Sequence, residues 1–283
     1  MKPSIFKALL LMVFFGLMSC YGNKPEGDGE KRVNKSVYTD TLNLSLTAIT
    51  SCMPLYYAYD RGLFDKQGVL VCLHSFQSQV AADTSLLGVA DAGYSDGYSA
   101  AYKKLQAKST LLIPFQEEWA LLSNALLRLK SVNDLQGRVV GLDEKALPAF
   151  YLDKALLSTK SKPKDVMTAN IGNYIVLEKM LNNNQVDAAL LPQPYLSLAK
   201  GHGLRLLYQA VHTSAFPSGI YLKEGKKNAQ LVRIFREVYN QAIDSINKHK
   251  GAALSPLYQK YAKLPASVAD TIKVGKALSP IKF

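Results

Sequence analysis

From Thr41 to Leu222, short apolar runs of period two alternate with segments whose apolar residues recur at helical spacing. Strand side chains alternate faces while a helix turns about 100° per residue, so this alternation argues for an α/β fold with mainly parallel sheets. The first run, LNLSLTAI, places Leu42, Leu44 and Leu46 on one face. Thr50-Ser51-Cys52-Met53-Pro54 then offers a hydroxyl cap and a proline near the first turn, which predicts a helix over 55–59 that Gly62 stops. Strands are predicted over 69–75, 91–94 and 110–115, with helices near 80–87 and 97–105. The same grammar restarts with a turn over 129–137. It continues with strands over 138–142, 166–170, 188–191 and 204–208 and helices over 146–158, 174–181 and 195–199. A strand over 218–222 precedes helices over 229–248, 253–262 and 267–276. No 20–50-residue repeat is visible.

The 283 residues allow one large domain or two smaller ones, and a hydrophobic share of 48% excludes disordered and fibrous classes. Net charge is +12, which raises the question of a nucleic-acid partner. The charge is scattered. Lys2 and Lys7 belong to the N-terminal segment, Lys24, Lys31, Arg32 and Lys35 to the stretch after it, and Lys226, Lys227, Lys248 and Lys250 flank the long C-terminal helix. No basic stripe with interleaved aromatics points to nucleic acid, and no such partner is expected.

Lys2 and Lys7 precede or adjoin an apolar run, Ala8 to Met18, that is shorter than the roughly 20 residues a spanning helix needs. Leu17-Met18-Ser19-Cys20 resembles the bacterial lipobox, which implies cleavage before Cys20 and a lipid on that cysteine. An uncleaved anchor with a chance cysteine is the alternative, and both leave the body facing outward. The expected organisation is a signal peptide over 1–19, a flexible polar tether over 20–41, and a globular remainder. Cys52 and Cys72 are the two other cysteines, so no dense disulfide framework supports the fold; a single bridge and two free thiols are both open, with free thiols the expectation.

The run Pro54-Leu55-Tyr56-Tyr57-Ala58-Tyr59-Asp60-Arg61-Gly62-Leu63-Phe64-Asp65-Lys66-Gln67-Gly68 resembles the opening of solute-binding proteins of ABC transporters in the nitrate, sulfonate, taurine and thiamine-precursor group. Val89 to Asp96, Leu129 to Gly141, and Asn184 to Tyr195 resemble later segments of the same group in order and spacing. The resemblance covers about residues 42–250 and implies a two-lobed, type II periplasmic-binding-protein-like fold. Each lobe would be a mainly parallel sheet flanked by helices, and the chain would cross between lobes twice. By that likeness 42–118 and 218–283 form lobe I and 119–217 lobe II. It further implies a small-molecule solute trapped between the lobes, a membrane permease and ATPase as partners, and attachment to the membrane through lipid on Cys20. Nothing in the chain resembles a phosphate-binding ATPase loop, so ATP would be used by the partner.

In open α/β sheets the carboxyl ends of strands and the helix N-termini after them line a crevice. The candidate ligand-binding residues are therefore Ser51, Cys52, Tyr56, Gln77, Ser78, Ser95 and Asp96 in lobe I, and Asp143, Asn173, Tyr174, Gln193 and Tyr195 in lobe II. Glu117 and Trp119 join them near a crossover. Ser51, Ser95, Asp96, Asn173 and Gln193 have helix capping as a competing role, and Tyr56, Trp119, Tyr174 and Tyr195 have core packing. Asp143-Glu144-Lys145 would repel an anion unless Lys145 offsets the two acids. The expectation is a small neutral or cationic solute, heteroaromatic and similar to a thiamine precursor, with a sulfonate or nitrate anion as the alternative.

An enzyme is not expected, nor a cofactor or a metal. His74, His202, His212 and His249 are dispersed, and no H-E-x-x-H, G-x-S-x-G or C-x-x-C motif is present. A lyase or a non-transport surface protein on the same fold is the remaining alternative.

Overall fold

The computed structural model describes residues 40–159, 165–210, 212–249, 252–272 and 280. The expected signal peptide, Cys20, nearly all of the tether and the end of the last predicted helix lie outside these residues.

The first group of elements is β1 (Asp40–Thr47), α1 (Met53–Asp60), β2 (Val69–Phe76), α2 (Gln79–Leu87), β3 (Ala92–Ser95), α3 (Ala100–Leu105) and β4 (Ser109–Pro114). The second group is β5 (Trp119–Ser123), β6 (Val139–Leu142), α4 (Leu147–Ser158), β7 (Met167–Asn170), α5 (Tyr174–Asn182), β8 (Ala188–Pro192), α6 (Tyr195–Gly201) and β9 (Arg205–Gln209). The chain then returns through β10 (Gly219–Lys223) and closes with α7 (Ala229–Lys248), α8 (Leu254–Lys260) and α9 (Ala266–Ala269).

The strands form two sheets of one plan, ordered β2-β1-β3-β10-β4 and β7-β6-β8-β5-β9. Each has a parallel trio at one side, β2-β1-β3 or β7-β6-β8. Each then takes an antiparallel strand that has just crossed from the other sheet's part of the chain: β10 between β3 and β4, and β5 between β8 and β9. The sheets are thus mainly parallel as expected, four strands running one way in each, with a single antiparallel strand inserted beside the trio. The cause is connectivity, since a strand arriving directly from the opposite lobe needs no helical crossover and runs against its neighbours. The sequence pattern does not show β5, because all five residues of WALLS are buried and no alternation marks the strand.

Register places the crossings. Trp119, the start of β5, lies opposite Pro192 at the end of β8, and Gly219, the start of β10, lies opposite Ser95 at the end of β3. Both crossings therefore sit at the carboxyl ends of the parallel strands, where the two lobes meet.

Helices cover the sheets through apolar faces. In α7, Leu231, Ile234, Phe235, Val238, Tyr239, Ala242, Ile243 and Ile246 are buried, a spacing of three and one that makes a continuous stripe. Asn228 caps it by accepting a 2.7 Å hydrogen bond from the Leu231 amide. Phe235 meets Phe64 edge to face at 5.4 Å, tying α7 to the loop after α1. Each large side chain buried there contributes about 1.5–3 kcal/mol relative to exposure.

Candidate functional site

The segments that follow the parallel strands converge on the interlobe seam. From the first lobe come the 3-10 turn Thr50–Cys52 after β1, Gln77 and Ser78 after β2, and Asp96 after β3. From the second come Asp143 after β6, Gly172 and Asn173 after β7, and Gln193 and Tyr195 after β8.

The seam is closed by hydrogen bonds. The Thr50 amide donates to the Gln193 carbonyl at 3.0 Å. The Tyr195 hydroxyl donates to Gln77 Oε1 at 3.0 Å, while Gln77 Nε2 donates to the Tyr261 carbonyl at 2.7 Å, so Gln77 is a strut between the lobes. The Leu147 amide, at the first turn of α4, donates to Asp96 Oδ2 at 2.7 Å. No side chain of α4's own N-cap residue, Ala146, satisfies that helix end. A carboxylate from the opposite lobe does so instead, in the position where a helix N-terminus would hold an anion. Asp96 Oδ1 also accepts from the Tyr98 amide at 3.0 Å, which fixes the carboxylate's direction. Gly97 makes this turn with φ 75°, and a Cβ there would lie 2.9 Å from the backbone of Phe216 and Pro217 in the return crossing.

Beside this latch is a group of buried polar atoms without a hydrogen bond of good geometry among the described residues: both carboxylate oxygens of Glu117, which the Tyr94 and Ser51 hydroxyls only approach, Trp119 Nε1, the Tyr94 hydroxyl and Asp143 Oδ2. Glu117 is 8% exposed, and Tyr94, Trp119 and Asp143 are 1–2% exposed. Leaving such groups unpaired costs on the order of 1–3 kcal/mol each, more for a charge. Burial pushes the Glu117 carboxyl up to about 8; the nearby Tyr94 and Ser51 hydroxyls oppose the rise, and Asp96 adds to it. Burial also raises Asp143, although the Lys145 amide donates to its Oδ1 at 3.1 Å and the exposed Lys145 side chain pulls the other way.

Aromatic rings wall the same region. Trp119 has Tyr174 edge-on at 5.7 Å and Tyr151 tilted at 6.3 Å, and Tyr174 lies 5.7 Å from Tyr195. Tyr94 stacks toward Phe115 at 6.0 Å. Gly172 belongs to the wall as well: a Cβ on it would stand 3.0 Å from both Asp143 Oδ2 and Ser78 Oγ, atoms of opposite lobes.

Of the fourteen residues expected at the site, Ser51, Asp96, Glu117, Trp119, Asp143 and Tyr174 are joined by these contacts and mutual electrostatic effects. Ser78 reaches them through Gly172, and Gln77 and Tyr195 hold the seam. The others are engaged elsewhere. The Tyr56 hydroxyl donates to Leu46 O at 3.3 Å and shares a 2.7 Å hydrogen bond with Ser75 Oγ, and the ring stacks on Tyr261 at 3.9 Å. Ser95 accepts from the Gly97 amide at 3.3 Å. Asn173 caps α5 by accepting from the Val176 amide. Gln193 faces Glu118 at 3.3 Å and Ser197 at 2.7 Å. Cys52 is a buried free thiol, raised by burial and by Glu117, and Cys72 is free too.

Sequence reading missed Tyr94 and Tyr151. Period two puts Tyr94 on the side of Asp96, and Tyr151 follows Leu147 by four residues, which gives the face of α4 that Asp96 caps. Among the described residues, no group of three or more His, Cys, Asp or Glu is arranged to hold a metal ion, and no helix is long and apolar enough to cross a membrane.

The family model described as "NMT1/THI5 like" matches residues 49–253. The chain belongs to the NMT1/THI5-like family. The stretch matched begins at the turn carrying Ser51 and runs through every residue of the seam except Tyr261. Solved structures similar to this NMT1/THI5-like chain include the alkanesulfonate-binding protein SsuA of Xanthomonas axonopodis pv. citri bound to MOPS, at TM-score 0.69 and 16% identity, covering 82% of this chain and 83% of that one. The periplasmic aliphatic sulphonate-binding protein SsuA of Escherichia coli aligns at TM-score 0.67 and 18% identity, over 81% of each chain. The periplasmic nitrate-binding protein NrtA of Synechocystis PCC 6803 aligns at 0.63 and 14%, over 80% of this chain and 68% of its own. These likenesses establish the two-lobed periplasmic-binding-protein fold. A comparison with curated protein sequences finds no match.

Proposed function

We propose that this chain is the extracytoplasmic solute-binding subunit of an ABC importer, held to the membrane by lipid on Cys20 and delivering a small flat solute to a permease and its ATPase. The observation that carries the reading is the set of unpartnered buried polar atoms, on Glu117, Trp119, Tyr94 and Asp143, gathered where the lobes close. Buried donors and acceptors without protein partners are suited to a ligand that completes their hydrogen bonds. Family membership and the sulfonate- and nitrate-binding names of the structural neighbours support a transport role over catalysis.

The chemistry of the wall favours a hydrogen-bonding heteroaromatic solute of the thiamine-precursor type over the anions those neighbours are named for. Two buried acids, Glu117 and Asp143, offer an anion no counter-charge, and the N-terminus of α4 already receives Asp96. A thermal-shift screen over aminopyrimidines, thiamine, amino acids, polyamines, sulfonates and nitrate tests the reading. A solute at 100 times its dissociation constant should stabilise the folded chain by about 2.7 kcal/mol. No shift with any of these in folded, ligand-stripped protein would count against a solute-binding role, and product formation from any of them would favour a lyase.

A further inference from the structure

We propose that the end of the first lobe opposite the seam is a membrane-facing surface that rests on anionic phospholipid headgroups. For its orientation this rests on the lipid-anchored reading, to which it adds a second, electrostatic contact with the bilayer.

The surface is assembled from separate stretches of chain. β10 runs antiparallel to β3 and β4, so its last residue, Lys223, pairs with Ser109 at the start of β4, and Leu222 pairs with Ala92 at the start of β3. Residues just outside these strands therefore meet at the amino ends of the parallel strands, away from the carboxyl ends that make the seam. They line an open groove of about 800 Å³. Lys104 and Lys108 reach it from the end of α3 and the turn that follows, and Lys223 and Lys226 from the end of β10 and the turn after it.

The two acids in the groove are already engaged. Asp91 Oδ2 accepts from the Asn43 amide at 2.8 Å and from Asn43 Nδ2 at 3.0 Å, and Lys226 Nζ lies 3.9 Å from Oδ1. Glu224 accepts from the Thr110 hydroxyl and lies 3.7 Å from Lys227 Nζ. Lys104 and Lys108 are exposed and have no ion pair among the described residues. Four lining lysines against two engaged acids leave a surplus of positive charge, which a phosphate-rich surface matches. Apolar side chains stand in the same rim. Leu87 and Val89 are 37% and 69% exposed on either side of Gly88, whose carbonyl accepts from Lys223 Nζ at 2.8 Å. Exposed apolar groups among lysines suit the headgroup layer, where the apolar group enters the acyl boundary and the ammonium stays with phosphate.

The chain enters the fold at this end. β1 starts at Asp40, and the Thr41 carbonyl accepts from Lys226 Nζ at 3.4 Å. The stretch from Cys20 to Asp40 spans at most about 70 Å when fully extended. Lipid on Cys20 therefore keeps the groove near a bilayer, where a high effective concentration sustains a contact of modest strength. With the groove on the lipid, the seam lies at the far end of the lobe, turned toward solvent.

The chain from residue 20 onward, with Cys20→Ser so that no lipid is attached, isolates the contribution of the groove in vesicle flotation. Vesicles of equal parts phosphatidylglycerol and phosphatidylcholine should bind it at least about tenfold more tightly than phosphatidylcholine alone. That affinity should fall several-fold between about 0.03 M and about 0.15 M salt as the Debye length shortens. Lys104→Glu combined with Lys108→Glu should weaken binding to the anionic vesicles at least about tenfold. Lys179→Glu combined with Lys200→Glu makes the same charge change at exposed positions of α5 and α6 and should alter it less than about twofold. Circular dichroism verifies the fold of both variants. The proposal is overturned if neither vesicle binds, if both bind equally, or if the α5 and α6 pair weakens binding as much as the groove pair. It is overturned too if duplex DNA binds more tightly than the vesicles, or if inorganic phosphate competes beyond chloride of equal ionic strength, which would make the groove a site for a free phosphate compound. No solute enters this assay, so the importer-subunit reading stands or falls separately on the thermal-shift screen, and the mass of the native chain reports the lipid on Cys20.

Discussion

Glu117 has the surroundings of a core residue and the functional group of a surface one. Its ordinary pKa is 4.5 and burial lifts it to about 8, so between these values the folded chain holds a proton that the unfolded chain has lost. That stabilising contribution is full below about pH 4.5 and disappears as pH rises through about 8, a fall of up to about 1.4 kcal/mol per pH unit in between. Denaturant melts of the ligand-free chain from about pH 5 to 8 should therefore slope downward, and Glu117→Gln should remove close to one proton's worth of that slope. An identical slope in both proteins would mean that Glu117 ionises normally. Asp83, raised by burial and by the charge of Asp96, and Asp96, raised by burial and by the charge of Asp143, leave part of the slope in the variant. Glu117 and Trp119 were legible as candidates because acids beside a single tryptophan at a crossover are unusual. Tyr56 looked equally promising, but its hydroxyl belongs to Ser75 and Leu46. Which of several tyrosines on a short helix meets the seam depends on the rotation of that helix against its sheet, a tertiary quantity.

Helix ends show where local and long-range chemistry part. Asn228 and Asn173 cap their own helices, α7 and α5, through amides three residues on. The same cap at α4 comes from Asp96, 51 positions away in sequence. Substituting the local cap, Asn228→Ala, should cost about 1 kcal/mol in global stability with little effect on solute affinity. Substituting the distant one, Asp96→Asn, should expose the Leu147 amide to faster hydrogen exchange and weaken solute binding, because it loosens the lobe contact. Exchange measured by mass spectrometry over 147–151 distinguishes the two. Unchanged protection there in Asp96→Asn would show that the cap does not hold the lobes together. The strand β5 is the element the pattern could not reveal, since burial on both faces removes the alternation that marks a strand.

The described residues form two sheets of one topology joined at their carboxyl edges, and the hydrogen bonds that hold the seam include Thr50 with Gln193, Gln77 with Tyr195, and Asp96 with Leu147. Closure thus has a measurable strength independent of the ligand. Tyr195→Phe deletes the hydrogen bond to Gln77 at constant volume, worth about 0.5–1.5 kcal/mol net. Solute dissociation followed by stopped-flow should accelerate about 2- to 10-fold while the ligand-free fold is retained. An unchanged off-rate would place the opening motion elsewhere.

By itself the sequence determined the alternation of strands and helices, the apolar stripe of α7, the local caps and the family likeness, because each of these depends on neighbours within a few turns or on ordered motifs along the chain. Only the tertiary structure decided that β5 and β10 run against their neighbours, that Asp96 ends a helix of the opposite lobe, and that Glu117, Trp119, Tyr94 and Asp143 share one buried seam without partners. Those facts join residues tens to more than a hundred positions apart, and their energies come from desolvation, which is set by what the rest of the fold places around a side chain.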